Sequence, residues 1–220
     1  MVDGPVILVG PTSGLDYRRI RPEWGDILEE LEFSLFSTSN RDELCHAEQF
    51  VALAQEFPEG SFVGFDGDEA VAMGTGILKR FDGRPPPHTL LDVMPFGQSG
   101  HQPDGNWYYG ITIAVRPSHR RRGIGAELYG LRKEVVRTQN LRGIAAGGVI
   151  PGFEQHKQHL GIEEYIDGIR RGEIYDATLS FQLHNGFEIV CPLPDYVRNP
   201  KIDNYAVLIV WDNPDYRPAG

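Results

Sequence analysis

Apolar residues recur along this chain with two different periods, and the switches between them outline its elements. Residues 15–21 can form a first strand, stopped by Pro22. Ile27, Leu28, Leu31 and Leu35 then fall at helical spacing and predict an amphipathic helix over about 23–36. Ser39 or Asn40 can cap a second helix, whose stripe is Ala47, Phe50, Val51, Ala54 and Phe57. Residues 61–65 and 70–78 flank Asp66-Gly67-Asp68-Glu69, a hairpin signal.

Residues 82–106 begin with a proline-rich stretch, continue with glycines and a histidine, and show little periodicity; they predict a long loop. Beyond it Tyr109, Ile111, Ile113 and Val115 alternate as in a strand with one apolar face, which Pro117 ends. Ile124, Leu128, Leu131 and Val135 predict a helix over about 123–139, and 141–150 read as another buried strand. Residues 151–175 read as a helical insertion: Ile162, Tyr165, Ile166 and Ile169 form its stripe, Arg170-Arg171 its last turn, and Gly172 its stop. That helix is a packing element or a wall over an acceptor site. Asp176 can cap a short helix through His184, and strands near 187–191 and 205–211 close the chain. The layout is mixed α/β with one central sheet.

Composition narrows the class. At 220 residues, 40% hydrophobic and 24% charged, the chain suits a single domain over 1–220 with a real core. A net charge of −10 argues against nonspecific nucleic-acid binding and is compatible with an amine-bearing acceptor. Cys45 and Cys191 are too few for a disulfide framework, which favours a reduced, cytoplasmic setting. No apolar run approaches the roughly 20 residues of a membrane span, and Val6-Ile7-Leu8-Val9 is too short for a signal peptide. Neither nucleic acid nor membrane is expected as a partner.

The chemistry gathers in Ile111 to Leu128, where a strand passes through a Pro-containing turn into Arg120-Arg121-Arg122-Gly123-Ile124-Gly125-Ala126 and a helix. The first N–H groups of a helix lack internal partners, and its dipole adds positive potential there. Glycines at 123 and 125 remove side chains, so that a pyrophosphate can approach the backbone, and three arginines add donors. Competing glycine motifs fail on spacing. A dinucleotide fingerprint starting at Gly123 would need a small residue where Leu128 stands. Gly10-Pro11-Thr12-Ser13-Gly14 has the composition of a P-loop, but Leu15, Asp16 and Tyr17 occupy its Gly-Lys-Ser/Thr positions.

Residues 115–125, Val-Arg-Pro-Ser-His-Arg-Arg-Arg-Gly-Ile-Gly, resemble the acyl-CoA signature of the GNAT superfamily, Q/R-x-x-G-x-G/A after a strand. Phe181-Gln182-Leu183-His184-Asn185-Gly186-Phe187 resembles its second landmark, a short helix ending in Gly-Phe. A narrower resemblance is to acetyltransferase domains joined to nitrilase-type carbon–nitrogen hydrolases, carried by Tyr108-Tyr109-Gly110, residues 140–144, Gly147-Gly148, Ile150-Pro151-Gly152 and residues 179–183. The sequence carries no hydrolase part, so this implies a transferase half standing alone.

The resemblance implies a central, mostly antiparallel sheet of seven strands flanked by helices, with the insertion before the last short helix. It implies acetyl-CoA as co-substrate, no metal, a small-molecule or peptide amine as acceptor, and admits a homodimer. Arg120, Arg121, Arg122, Gly123, Ile124, Gly125 and Ala126 would cradle the pyrophosphate, with Asn185 nearby. Ile113, Ala114 and Val115 would pair with pantetheine, an N–H near Val115 polarising the thioester. Many members place a tyrosine beside the leaving thiolate, five residues before the Phe of Gly-Phe; here that residue is Gln182, whose amide cannot deliver a proton. The thiolate leaves unprotonated, or Tyr108, Tyr109, Tyr175 or His184 supplies the acid. The implied activity is N-acetyl transfer by direct attack in a ternary complex; the alternative is a noncatalytic acyl-CoA-binding or regulatory module.

Other candidates have simpler readings. His156, His159 and Glu154 lack a zinc pattern. His101 and Asp104 are base or acceptor ligands, or turn residues. Trp107, Tyr108 and Tyr109 read as core and pocket wall, and Cys191 as a buried strand residue.

Overall fold

The central sheet is built from β1 (Val6–Val9), β2 (Asp16–Arg19), β3 (Phe62–Asp66), β4 (Glu69–Lys79), β5 (Trp107–Val115), β6 (Gly143–Val149), β7 (Glu188–Leu193) and β8 (Ala206–Asp212). The computed structural model describes residues 4–37 and 39–218, so the outer ends of the 1–220 domain lie outside the described residues. Spatially the strands run β1-β2-β3-β4-β5-β6-β8-β7. Among the described residues the sheet thus has eight strands rather than the seven expected. The addition is β1, an edge whose Val6, Ile7 and Val9 stay exposed, so no one-faced alternation announces it.

All neighbours pair antiparallel except β5 and β6, which run parallel and are matched only at Tyr108↔Ile144 and Tyr109↔Ala145. Beyond that point β5 follows β4 out to Ala72↔Val115, while β6 follows β8 out to Val149↔Ala206. The two strands splay apart from Gly110 and Ala146 onward.

Helices cover both faces. On one face α1 (Gly25–Leu35) and α2 (Ala47–Glu56) bury Leu28, Leu31, Phe50 and Leu53 against Met73 and Tyr109. On the other, α4 (Ile124–Thr138), α5 (Ile162–Arg170) and α6 (Leu179–His184) bury Leu128, Ile166 and Leu179 around Tyr108 and Ile144. Each such aliphatic side chain stabilises by about 1.5–3 kcal/mol, which makes both stripes essential to the layers. Residues 82–106 hold a four-residue helix, α3 (Leu90–Val93), capped by Thr89.

Caps fix the helix starts. Asn40 accepts the Asp42 N–H but caps only a 3-10 turn over Arg41–Glu43. Leu44 is then extended, so α2 starts at His46, whose N–H the Gln49 side chain accepts at 3.0 Å. Asp176 does more than cap. One carboxylate oxygen accepts the N–H groups of Thr178 and Leu179, each at 2.9 Å. The other accepts from the Gly152 N–H and the Tyr165 hydroxyl, also at 2.9 Å, which fastens residues 151–175 to α6. Among the described residues no helix is long and apolar enough to cross a membrane.

Candidate active site

The strand β5 reaches α4 through a 3-10 turn at Pro117–His119, then through Arg121 and Gly123, both left-handed at φ 62° and 80°. A left-handed arginine costs roughly 1–2 kcal/mol, so the surroundings hold this turn in place. The Arg120 N–H bonds Pro117 and the Glu127 N–H bonds Gly123. Between them, the amides of 121–126 have no hydrogen-bond partner among the described residues. Six N–H groups at the positive end of a 15-residue helix are thus available to an anion.

The two glycines also meet close neighbours. A Cβ on Gly123 would meet Thr12 at 2.9 Å, and one on Gly125 would meet the Phe181 ring at 2.8 Å. Their missing side chains let neighbours close on the helix tip, while the amides themselves stay free. Arg120, Arg121 and Arg122 are all exposed, and Arg122 donates to the Ser13 carbonyl at 2.8 Å and pairs with Asp66 at 3.5 Å.

Residues 10–15, rejected as a P-loop, brace this tip through Glu127. Its carboxylate accepts from the Thr12 N–H at 2.8 Å, the Ser13 N–H at 3.1 Å, the Tyr17 hydroxyl at 2.7 Å and the Ser13 hydroxyl. Burial pushes the Glu127 carboxyl up, but these donors together bring it below its ordinary range. An acidic residue in the first turn of α4 was the sequence signal available for this contact.

In the splay, β5 carries a bulge: Thr75 faces Thr112 and Gly76 faces Gly110, leaving Ile111 unmatched. Arg132 of α4, 2% exposed, fills it by donating to the carbonyls of Thr75, at 2.8 Å, and Thr112. Gly110 gives it room, since a Cβ there would lie 2.9 Å from the guanidinium. The Thr112 N–H meets the Thr75 hydroxyl and the Arg116 N–H meets Val71, so even-numbered residues face β4. Strand alternation therefore turns the Ile113 and Val115 N–H groups toward the open side.

Gln182 of α6 is 4% exposed and its Oε1 has no partner among the described residues. That oxygen lies against Gly148 of β6, where a Cβ would come within 2.4 Å. Beside it is the Tyr129 hydroxyl, which burial pushes up and which the Arg132 charge and Gln182 amide pull down. Gln182 is thus enclosed between β6 and a buried tyrosine of α4.

The other expected residues disperse. Tyr108 is fully buried and donates to the Gly60 carbonyl at 2.6 Å, which holds its hydroxyl in the core rather than in the splay. His184 is exposed on the last turn of α6. The Asn185 side chain donates back to Phe181 at 2.8 Å and its carbonyl accepts from Lys133 at 2.7 Å, so its side-chain amide closes α6. Tyr175 is 77% exposed. His101 accepts the Leu78 N–H at 3.2 Å and stacks on Phe57, and Asp104 pairs with Arg80 at 2.9 Å; both fasten the loop to β4.

On the face under α1 and α2, the sequence reading missed two groups. Glu32, 3% exposed, accepts from the Thr112 hydroxyl at 3.2 Å and has no partner for Oε2 among the described residues; burial pushes its pKa up to about 7. His88 lies 2.6 Å from the Tyr109 hydroxyl, which lies 2.9 Å from the Tyr196 hydroxyl. Neither Glu32, hidden in a helix, nor His88, hidden in a proline-rich loop, carries a spacing motif.

A family model described as the Acetyltransferase (GNAT) family matches residues 22–159. The probable hydrolase YhcX of Bacillus subtilis (strain 168) is 36% identical over 173 residues, covering 78% of this chain; the chain spans about a third of that relative, 34% of its length. The uncharacterized N-acetyltransferase YkwB of the same organism is 27% identical, over 78% of this chain and 76% of the relative. The loading GNATL domain of CurA from Lyngbya majuscula superposes with a TM-score of 0.79 at 18% identity, over 90% of this chain and 98% of that one. A GNAT-like decarboxylase, GphF, in complex with isobutyryl-CoA gives 0.73 at 20% identity, with the same coverage. These two likenesses show the fold.

Proposed function

The chain belongs to the acetyltransferase (GNAT) family, and we propose that within it this protein is an N-acetyltransferase, passing the acetyl group of acetyl-CoA to a primary amine by direct attack. One observation carries the reading: the six unclaimed amides of 121–126 stand at the head of α4, beside a β5 edge whose Ile113 and Val115 N–H groups face an open splay. The amides of 121–126, with Arg120 and Arg121, bind the pyrophosphate of the donor. The open edge of Ile113, Ala114 and Val115 pairs with the amide-bearing pantetheine arm, as an added strand would. An N–H from Ile113 or Val115 then polarises the thioester carbonyl and holds the oxyanion formed on attack; such a donor contributes about 3–4 kcal/mol.

Holding both reactants in the splay supplies much of the acceleration. Gln182 can donate a hydrogen bond to the departing sulfur but delivers no proton, so the thiolate leaves unprotonated. The identity with YhcX supports placing this chain with the acetyltransferase domains of nitrilase-type hydrolases. The missing proton donor at 182 favours a second reading, a module that binds acyl-CoA without turnover.

Thermal shift with acetyl-CoA tests binding: at millimolar ligand a micromolar site stabilises by about 4 kcal/mol. Thiol release across a panel of amines separates the readings. Turnover above hydrolysis with any amine establishes the transferase, and binding without turnover establishes the module. No stabilisation by acetyl-CoA would defeat both.

A further inference from the structure

Apart from the α4 tip, the splay is bordered by a chain of three titratable side chains on the face opposite α4. Tyr109 is the β5 residue matched to Ala145, the last pair before the strands separate. Tyr196 packs its ring over Gly147, two residues farther along β6, where a Cβ would meet the ring at 2.2 Å. The Gly147 N–H faces the hydroxyls of both tyrosines, which brings them to the mouth of the splay. His88 ends the chain at the half-buried rim.

The hydrogens are ordered by one contact. His88 Nδ1 lies 2.6 Å from the Pro86 carbonyl, which can only accept, so Nδ1 carries a proton. In the neutral ring Nε2 is then the acceptor and takes the Tyr109 O–H. Tyr109 oxygen in turn accepts from Tyr196, at 2.9 Å. The Tyr196 oxygen accepts from the Gly147 N–H with one lone pair and keeps the second for a donor in the splay. Every O–H along the chain points outward, from the splay toward the imidazole.

We infer that Tyr196, Tyr109 and His88 form a relay that removes the proton from an ammonium acceptor entering the splay from the α1/α2 side. This inference rests on the N-acetyltransferase reading. The ammonium N–H donates to the Tyr196 oxygen. As its proton moves there, the Tyr196 proton passes to Tyr109 and the Tyr109 proton to His88 Nε2, leaving a neutral amine and an imidazolium. The nitrogen lone pair forms the C–N bond, the C–S bond breaks with its electrons on sulfur, and the second nitrogen proton goes to the thiolate. His88 then releases its proton to solvent. Neither tyrosine becomes a free phenolate, consistent with both hydroxyls being pushed up by burial.

The groups facing His88 suit this role. Burial lowers the imidazole pKa, and Lys79 of β4 lowers it further, while the Pro86 carbonyl and Asp92 of α3 raise it. Tyr109 of β5 and Tyr196 of the β7–β8 connection present hydroxyls. Phe81 stacks on the ring at 6.2 Å. The result is a neutral base at neutral pH that cannot take its tautomer's other form without losing Pro86.

The test is kcat against pH with saturating acetyl-CoA and three amine probes: benzylamine, spermidine and an alanyl peptide. His88→Ala and Tyr196→Phe should each lower kcat roughly tenfold to a hundredfold near pH 7, with the KM for acetyl-CoA unchanged. The deficit should shrink toward pH 10, where the amine sheds its proton unaided; a loss of packing alone would give a deficit independent of pH. Tyr196→Phe keeps the ring over Gly147, so it reports on the hydroxyl even if His88→Ala loosens the loop. Wild-type pH profiles in both variants, or a deficit constant with pH, would overturn the relay while leaving the transferase reading standing. A wild type that turns over none of the probes removes that reading and the relay with it.

Discussion

The guanidinium of Arg132 bonds the carbonyl of Thr112 inside the sheet, at the bulge where β5 begins to leave β6. The same nitrogen bonds Thr75, so one side chain of α4 replaces the backbone donor that the bulge removes from the ladder. No carboxylate pairs with it among the described residues, and it lies over the rings of Tyr108 and Tyr129. Arg132→Met should therefore leave two buried carbonyls without a donor and cost about 2–4 kcal/mol, read as a lower urea midpoint at unchanged slope. It should also weaken acetyl-CoA binding, because the Thr112 carbonyl no longer fixes the Ile113 N–H toward the splay. A midpoint equal to wild type would show that the bulge stands without its donor.

Arg120 offers a cleaner probe of the proposed anion site, since its side chain is exposed and among the described residues bonds only the Val115 carbonyl, at 3.2 Å. Arg120→Glu should leave the fold intact and raise the Kd for CoA more than about tenfold, by placing repulsion beside the pyrophosphate. The loss should narrow at high salt, as screening weakens exposed charges. Calorimetry that returns the wild-type Kd for a folded variant places the pyrophosphate elsewhere.

The sequence carried seven strands of the sheet, the long helices and the turn from β5 into α4, because each rests on periodicity or on a local motif. Ile111, Ile113 and Val115 alternate, and Gly123 stands where a left-handed residue must. What stayed hidden depends on contacts between distant segments. Glu127 reaches back 110 residues to Tyr17, Arg132 reaches across to Thr75, and His88 meets Tyr196 across the sheet end. None of these pairs has a spacing that one chain can display. Tyr108 shows the converse: adjacent to Tyr109 in sequence, it points to the opposite face, where Gly60 takes its hydroxyl.

Glu32 predicts a pH dependence of stability. Burial raises its carboxyl from 4.5 to about 7, so the folded protein binds this proton more tightly than the unfolded chain. Its contribution is complete below the unfolded value and is lost as pH rises through about 7. Glu32→Gln keeps an acceptor for the Thr112 hydroxyl and carries no charge. It should gain about 1–3 kcal/mol over wild type at pH 8 and little at pH 4, with a flatter stability curve between. Urea midpoints that differ equally at both pH values would contradict a titrating Glu32.

Gly148 and Gln182 make the sharpest pairwise test of the cleft. A methyl at 148 would approach Gln182 Oε1 to 2.4 Å, closer than any relaxed contact, and α6 holds that amide 4% exposed with little room to swing. Gly148→Ala should thus cost about 1–3 kcal/mol and push α6 against the splay, weakening acetyl-CoA binding. Gln182→Ala removes an orphaned polar oxygen and opens the space the new methyl needs. The double variant should recover stability and binding relative to Gly148→Ala, with a coupling of about 0.5–3 kcal/mol. Effects that simply add in the double-mutant cycle would mean that the two side chains do not meet, and that Gln182 does not line the wall of the cleft.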